Sequence, residues 1–168
     1  MICLGLQPRI SRVLKYANAT TGLGGVILFY DADCGVCTWI ASRALHAATA
    51  GVLRAVPIGS QEAEAYLGHL SDEQRWASWH ILGKDGRLRS GGAAAPVLLE
   101  LLPHMRPLAR LTSAAPRVTE LSYRVVARTR SLWGRLVPRR SVARARRELD
   151  VVLNEFQSKR GTQCRTIL

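Results

Sequence analysis

Apolar positions along this chain change their period several times, and each change marks an element. Val26-Ile27-Leu28-Phe29-Tyr30 is an unbroken run of β-branched, aliphatic and aromatic residues, the pattern of a strand buried on both faces, roughly Gly25 to Tyr30. The period then lengthens. Val36, Ile40, Ala44 and Ala47 recur at steps of four, four and three, which predicts a helix from about Cys34 to Ala50 with Gly51 in the stop position. Val52 to Ile58 alternates and reads as a second strand, with Pro57 confining it to a strand end or edge. Ser60, Glu62 and Glu64 open a second helix whose apolar stripe is Ala63, Tyr66, Leu67 and Leu70, and Ser71-Asp72-Glu73-Gln74 restarts a short helical turn. Trp79 to Leu82 is a third strand, Asp85-Gly86 is the signal of a tight hairpin, and Leu88 to Ser90 returns. Gly91-Gly92 releases the chain into a helix from Ala93 to Leu102, halted by Pro103.

The two ends follow different rules. Residues 1–24 form an extension in which Ile10, Val13, Leu14 and Ala17 are spaced for one or two helical turns before Thr20-Thr21-Gly22. Beyond Pro107 the pattern is helical throughout, with Val118, Leu121, Val125, Leu132 and Leu136 on one stripe, Arg124, Arg128 and Arg135 on other faces, and a break at Pro138. Such apolar positions predict helices packed on the domain. Leu149, Val152, Leu153 and Phe156 make a last amphipathic set ahead of a polar tail from Gln157. The expected organisation is an N-terminal extension (1–24), an α/β domain (25–104), a basic helical extension (105–157) and a disordered tail (158–168).

Length and composition fit one folded domain with accessory helices: 168 residues, 48% hydrophobic and 21% charged. Charge changes the picture. Residues 1–103 carry nine Lys and Arg against eight Asp and Glu, whereas residues 104–168 carry fifteen against four, so nearly all of the net charge of +12 is C-terminal. A segment of this kind suits an acidic partner such as nucleic acid, anionic lipid or an acidic protein face, and equally describes a solvated helical face. The start of the chain lacks the apolar core of a secretory leader, because Gln7, Pro8, Arg9 and Arg12 interrupt it. No apolar run is long enough for a transmembrane helix, so a cytoplasmic, reducing compartment is expected.

In that compartment the cysteines carry the candidate chemistry. Cys3 and Cys164 lie near the ends, whereas Cys34 and Cys37 stand at Cys-x-x-Cys spacing where the first strand hands over to the first helix. Unpaired N–H groups and the positive end of the helix dipole favour a thiolate there. A thiolate with a second thiol three residues on is the minimum equipment for disulfide exchange, which assigns Cys34 as attacking nucleophile and Cys37 as resolving thiol. Asp31 is placed either to move a proton during resolution or to cap the turn, and Asp33 sits beside it. The rival reading is metal binding, for which a second ligand pair is missing from the sequence, and the third is a pair of buried structural thiols. His80 lies in a strand that is able to pass beside the cysteines, and Trp39, Trp76 and Trp79 flank the motif in sequence as core, rim or substrate platform. No cofactor is called for; the implied partner is a disulfide-bearing protein or a small thiol. The element order, with Cys-x-x-Cys opening the first helix, matches a thioredoxin-like layout, a small mixed sheet covered by helices on both faces.

At Tyr30-Asp31-Ala32-Asp33-Cys34-Gly35-Val36-Cys37 the chain resembles the DCC family of thiol-disulfide oxidoreductases, named for an Asp and two Cys at the spacing of Asp31, Cys34 and Cys37. Trp79-His80-Ile81-Leu82, the Asp85-Gly86 turn, Gly91-Gly92-Ala93-Ala94 and Tyr123 to Arg128 are similar to further stretches of that family, so the likeness covers roughly residues 25–135. The resemblance implies a thioredoxin-like fold and dithiol–disulfide activity. One departure is that thioredoxins and glutaredoxins place a cis-proline before the third strand, where this chain has Arg75-Trp76-Ala77-Ser78.

Overall fold

A computed structural model describes residues 25–48, 52–129 and 136–165, with side chains to Asn154 in the last helix. Its centre is a four-stranded mixed sheet in the order β2-β1-β3-β4. The strands are β1 (Val26–Tyr30), β2 (Leu53–Pro57), β3 (His80–Leu82) and β4 (Leu88–Ser90). β1 pairs parallel with β2, which requires a crossover, and helix α1 (Gly35–Ala47) supplies it. β1 pairs antiparallel with β3, and β3 with β4 through the Asp85–Gly86 hairpin. This is the thioredoxin-like α/β arrangement expected from the element order.

Every residue of β1 is buried, and its side chains alternate between two cores. Val26, Leu28 and Tyr30 join Ala41 and Ala44 of α1, with Leu98 from helix α4 (Ala95–Leu101) and Leu149 from helix α7 (Arg139–Arg165). Ile27 and Phe29 turn to the other side, where Ala63, Tyr66 and Leu67 of helix α2 (Gln61–Leu67) cover them. The tyrosine and phenylalanine rings lie 5.6 Å apart. Side chains of this size are each worth about 1.5–3 kcal/mol when fully buried, so β1 is the strand that both cores are built on.

Local chemistry sets the helix starts. Ser60 caps α2 by accepting from the Ala63 N–H, and Ser71 opens helix α3 (Asp72–Ala77) with a reciprocal capping box to Gln74. After β4 a 3-10 turn (Gly91–Ala94) leads into α4. The two glycines there have a geometric cause. Gly91 has φ near +59°, and a Cβ on Gly92 would stand 2.6 Å from the Glu120 Cα, because helix α6 (Pro116–Arg128) crosses directly over it.

Several expected boundaries move. The helix proposed for Cys34 to Ala50 ends at Ala47, and the Gly51 stop, the turns at Ile10 to Ala17 and Leu132 lie outside the described residues. Residues Ala93 to Leu102 divide into the 3-10 turn and α4, since Pro96 suits the first turn of an α-helix. The tail expected to lack structure from 158 is instead helical to Arg165: once α7 is anchored by its first half, each further residue extends it at little cost. A larger correction concerns the stripe expected to pack α6 on the domain. Val118, Leu121 and Val125 are exposed, as is Leu136; α6 is held by its opposite face through Glu120 and Tyr123, and helix α5 (Arg106–Ala114) buries only Ala109.

Candidate active site

The turn after β1 is built around one carboxylate. Asp31 Oδ1 accepts from the backbone N–H of Asp33 at 3.0 Å and of Cys34 at 3.2 Å, folding the chain so that α1 starts at once. Of the two roles open to Asp31, moving a proton or capping the turn, these bonds are those of a turn cap, one step ahead of the helix cap itself. Cys34 itself is the N-cap of α1, its Sγ accepting from the Cys37 N–H at 3.4 Å. The sulfur thus occupies the place where Ser60 and Ser71 put oxygen.

Cys37 points at the same atom. Its thiol donates to Cys34 Sγ at 2.8 Å, and both residues are partly exposed. Cys34 Sγ therefore collects a backbone N–H, an S–H and the positive end of the α1 dipole, all of which favour negative charge on that sulfur over its partner. Between them Gly35 admits a close neighbour, since a Cβ there would lie 3.2 Å from Val142 Cγ1 of α7.

Two further residues hold the turn and escaped the sequence reading. Thr38, buried one turn into α1, donates to the carbonyl oxygens of Cys34 at 3.1 Å and Ala32 at 3.3 Å. Arg146 of α7 donates to the same Ala32 carbonyl at 2.9 Å. Thr38 shares the buried face of α1 with Ala41, Ser42 and Ala44, and a threonine one turn after a helix start, able to donate back to the carbonyl four residues earlier, is a signal the sequence does carry. Arg146 could not: it is one arginine among many, more than a hundred positions away. The docking of α7 continues along α1. Ser42 donates to Glu148 at 2.8 Å, and Arg144 with that serine holds the Glu148 carboxyl below the usual carboxylate range. Tyr30, buried at the end of β1, has its phenol pushed up to about 12, chiefly by burial, then by the nearby Asp150, with Arg146 acting the other way.

Other candidates fall elsewhere. His80 shares a sheet face with Phe29, opposite in the β1–β3 register, so it lies on the side away from α1. Its Nε2–H donates to the Arg75 carbonyl and its Nδ1 accepts from the Ser90 hydroxyl, and burial pushes its pKa down. It is a packing histidine. The tryptophans have separate surroundings: Trp39 lies under the Arg43 guanidinium, Trp76 covers Gly59, and Trp79 stacks on Tyr123 while donating to the Gly91 carbonyl. A cleft of about 580 Å³ between the β3–β4 turn and helices α4 and α5 holds neither cysteine. Within it Arg89 pairs with Asp85 and keeps that carboxyl far below its ordinary value. Among the described residues no cluster of three or more His, Cys, Asp or Glu is placed to hold a metal ion, and no helix is long and apolar enough to cross a membrane.

No curated protein and no solved structure matches the chain. A family model, that of the DCC1-like thiol-disulfide oxidoreductases, matches residues 28–136, which takes in β1 from Leu28 onward, the Asp31 turn, both cysteines, the other three strands and α6, and stops short of α7. On that match, with the two sulfurs meeting at the tip of α1, the chain belongs to the DCC1-like thiol-disulfide oxidoreductase family.

Proposed function

We propose that the protein exchanges disulfides through Cys34 and Cys37, with Cys34 as nucleophile. One observation supports this above the rest: Cys34 Sγ is the acceptor of both the Cys37 N–H and the Cys37 thiol at a helix start. In the reducing direction the Cys34 thiolate attacks one sulfur of a substrate disulfide, forming a mixed disulfide and expelling a substrate thiolate. Cys37 then loses its proton to solvent or to that leaving group and attacks Cys34 Sγ. The Cys34–Cys37 bond forms, the mixed disulfide breaks, and two electrons have passed to the substrate. Catalytic oxidation is the same sequence run backwards.

Asp31 enters as a positioning residue that fixes the turn into Cys34 by accepting from the Asp33 and Cys34 N–H groups. The proton-relay alternative is separable from it. Asp31→Asn keeps an oxygen for those bonds and removes the ionisable group, so activity and its pH profile should persist, whereas Asp31→Ala should lower activity through the loosened turn. A pH profile displaced by Asp31→Asn assigns Asp31 to proton transfer instead.

The direct test is reduction of insulin by the dithiol protein. Wild type should be active, Cys34→Ser inactive, and Cys37→Ser should accumulate a mixed disulfide visible by mass spectrometry. Full activity in Cys34→Ser overturns the assignment. A disulfide-bearing polypeptide or small thiol is the expected substrate class, and the partly exposed sulfurs leave room for either.

A further inference from the structure

Helix α6 has two faces of use, and the body of the protein takes one. Glu120 accepts from the Gly92 N–H at 2.9 Å and Tyr123 stacks on Trp79, so these residues mark the inner side. At about 100° per residue, Val118, Leu121 and Val125 fall together on the reverse side. They are 63%, 65% and 56% exposed, and on the adjoining α5 Leu108 and Leu111 are exposed as well. Single apolar side chains on a surface are ordinary; a stripe at i, i+3 and i+7 facing outward is the form of a contact surface.

Charge decides what the stripe touches. Residues 105–129 contain Arg106, Arg110, Arg117, Arg124 and Arg128 against one acid, Glu120, which is already engaged by Gly92 and Arg124. Arg117, Arg124 and Arg128 share the flank next to the stripe. A second copy seated on this face would bring arginine against arginine with no acid to offset it. The chain's own residues 1–24 fare no better, since they hold Arg9, Arg12 and Lys15 and no acid. Nucleic acid would satisfy the arginines and leave three aliphatic side chains against a polyanion. An anionic bilayer surface answers both halves, with negative headgroups at the flank and acyl chains beneath the stripe.

We propose that the α5–α6 face docks the protein on anionic lipid, lying in the interface rather than crossing it. The proposal is independent of the redox reading. Its test is sedimentation of the full chain with phosphatidylcholine vesicles, with and without phosphatidylglycerol. Binding should require phosphatidylglycerol and fall as salt rises. The double variant Leu121→Ser, Val125→Ser should stay in the supernatant while its melting temperature and insulin reduction match wild type. Arg117→Ala and Arg128→Ala should each weaken binding about fivefold. Three outcomes overturn the proposal: wild type unbound to phosphatidylglycerol vesicles at low salt; the double variant bound as well as wild type, which moves binding to other arginines; or a wild-type dimer that the double variant dissolves, which gives the face to a second copy.

Discussion

At Cys34 a sulfur stands where α2 and α3 use a serine oxygen: Cys34 Sγ takes the Cys37 N–H at 3.4 Å, Ser60 Oγ the Ala63 N–H at 3.2 Å, and Ser71 Oγ the Gln74 N–H at 3.2 Å. Serine is the better structural cap, so the choice of sulfur serves the chemistry. Cys34→Ser should therefore keep or slightly raise the melting temperature while removing activity, and Cys34→Ala should cost about 1 kcal/mol by leaving the N–H uncapped. A serine variant that unfolds early would make the thiol structural. His80 gives a second test at this scale. It is neutral and buried, with its pKa lowered mainly by burial, so the unfolded chain takes up the proton first. The sign follows: the contribution to stability is complete above the ordinary histidine value of 6.5 and is lost as the pH falls from there toward the lowered folded value. Denaturant unfolding should show stability dropping across that interval, and less steeply in His80→Asn. Equal slopes in the two proteins rule His80 out as the cause.

Among the elements, α7 shows how a helix beyond the family match becomes part of the site. Leu149 and Ala145 are buried against α1, Val142 rests on Gly35, and Arg146 reaches the Ala32 carbonyl, whereas Val151 faces outward at 56% exposure. Leu149→Ala should accordingly cost about 2–5 kcal/mol and Val151→Ala less than about 0.5 kcal/mol in denaturant unfolding. Similar costs for the two would mean that α7 is docked by another face. The elements that were legible in the sequence are those whose pattern has one physical solution. An unbroken apolar run such as β1 is buried on both faces, and the period change after Tyr30 places the cysteines at a helix start whatever surrounds them. The α6 stripe shows where that legibility stops. Periodicity locates Val118, Leu121 and Val125 on one side of a helix, but which side meets the body is set by Gly91 and Gly92, whose missing side chains let Glu120 and Tyr123 come close. For the same reason Asp31, Cys34 and Cys37 were visible as a local motif, and Arg146, brought to the motif only by the docking of α7, was not.

Across the whole molecule the charge is lopsided, and that has a thermodynamic consequence. Fifteen of the twenty-four basic residues follow residue 103, with four acids among them, and the net charge of the chain is +12. Folding seats α5 against α4, α6 over the Gly91–Ala94 turn and α7 along α1, and so gathers that charge around one small domain. Against the repulsion stand ion pairs that are mostly exposed, Arg75–Glu64, Arg89–Asp85, Arg124–Glu120 and Arg144–Glu148, of a kind worth about 0–1 kcal/mol each. Among the described residues, only Arg54–Glu62 is largely shielded from solvent on both sides. Added salt weakens both terms, and the excess of like charge is the larger, so screening should stabilise the fold. Raising sodium chloride from a few millimolar to near-physiological strength should lift the melting temperature, by roughly 2–4 °C for each 1 kcal/mol of repulsion relieved in a chain of this length. A melting temperature that falls over the same range would mean that the ion pairs outweigh the crowding of arginines, and that the basic helices are held on the domain by charge rather than by the apolar contacts of Ala109, Ala145 and Leu149.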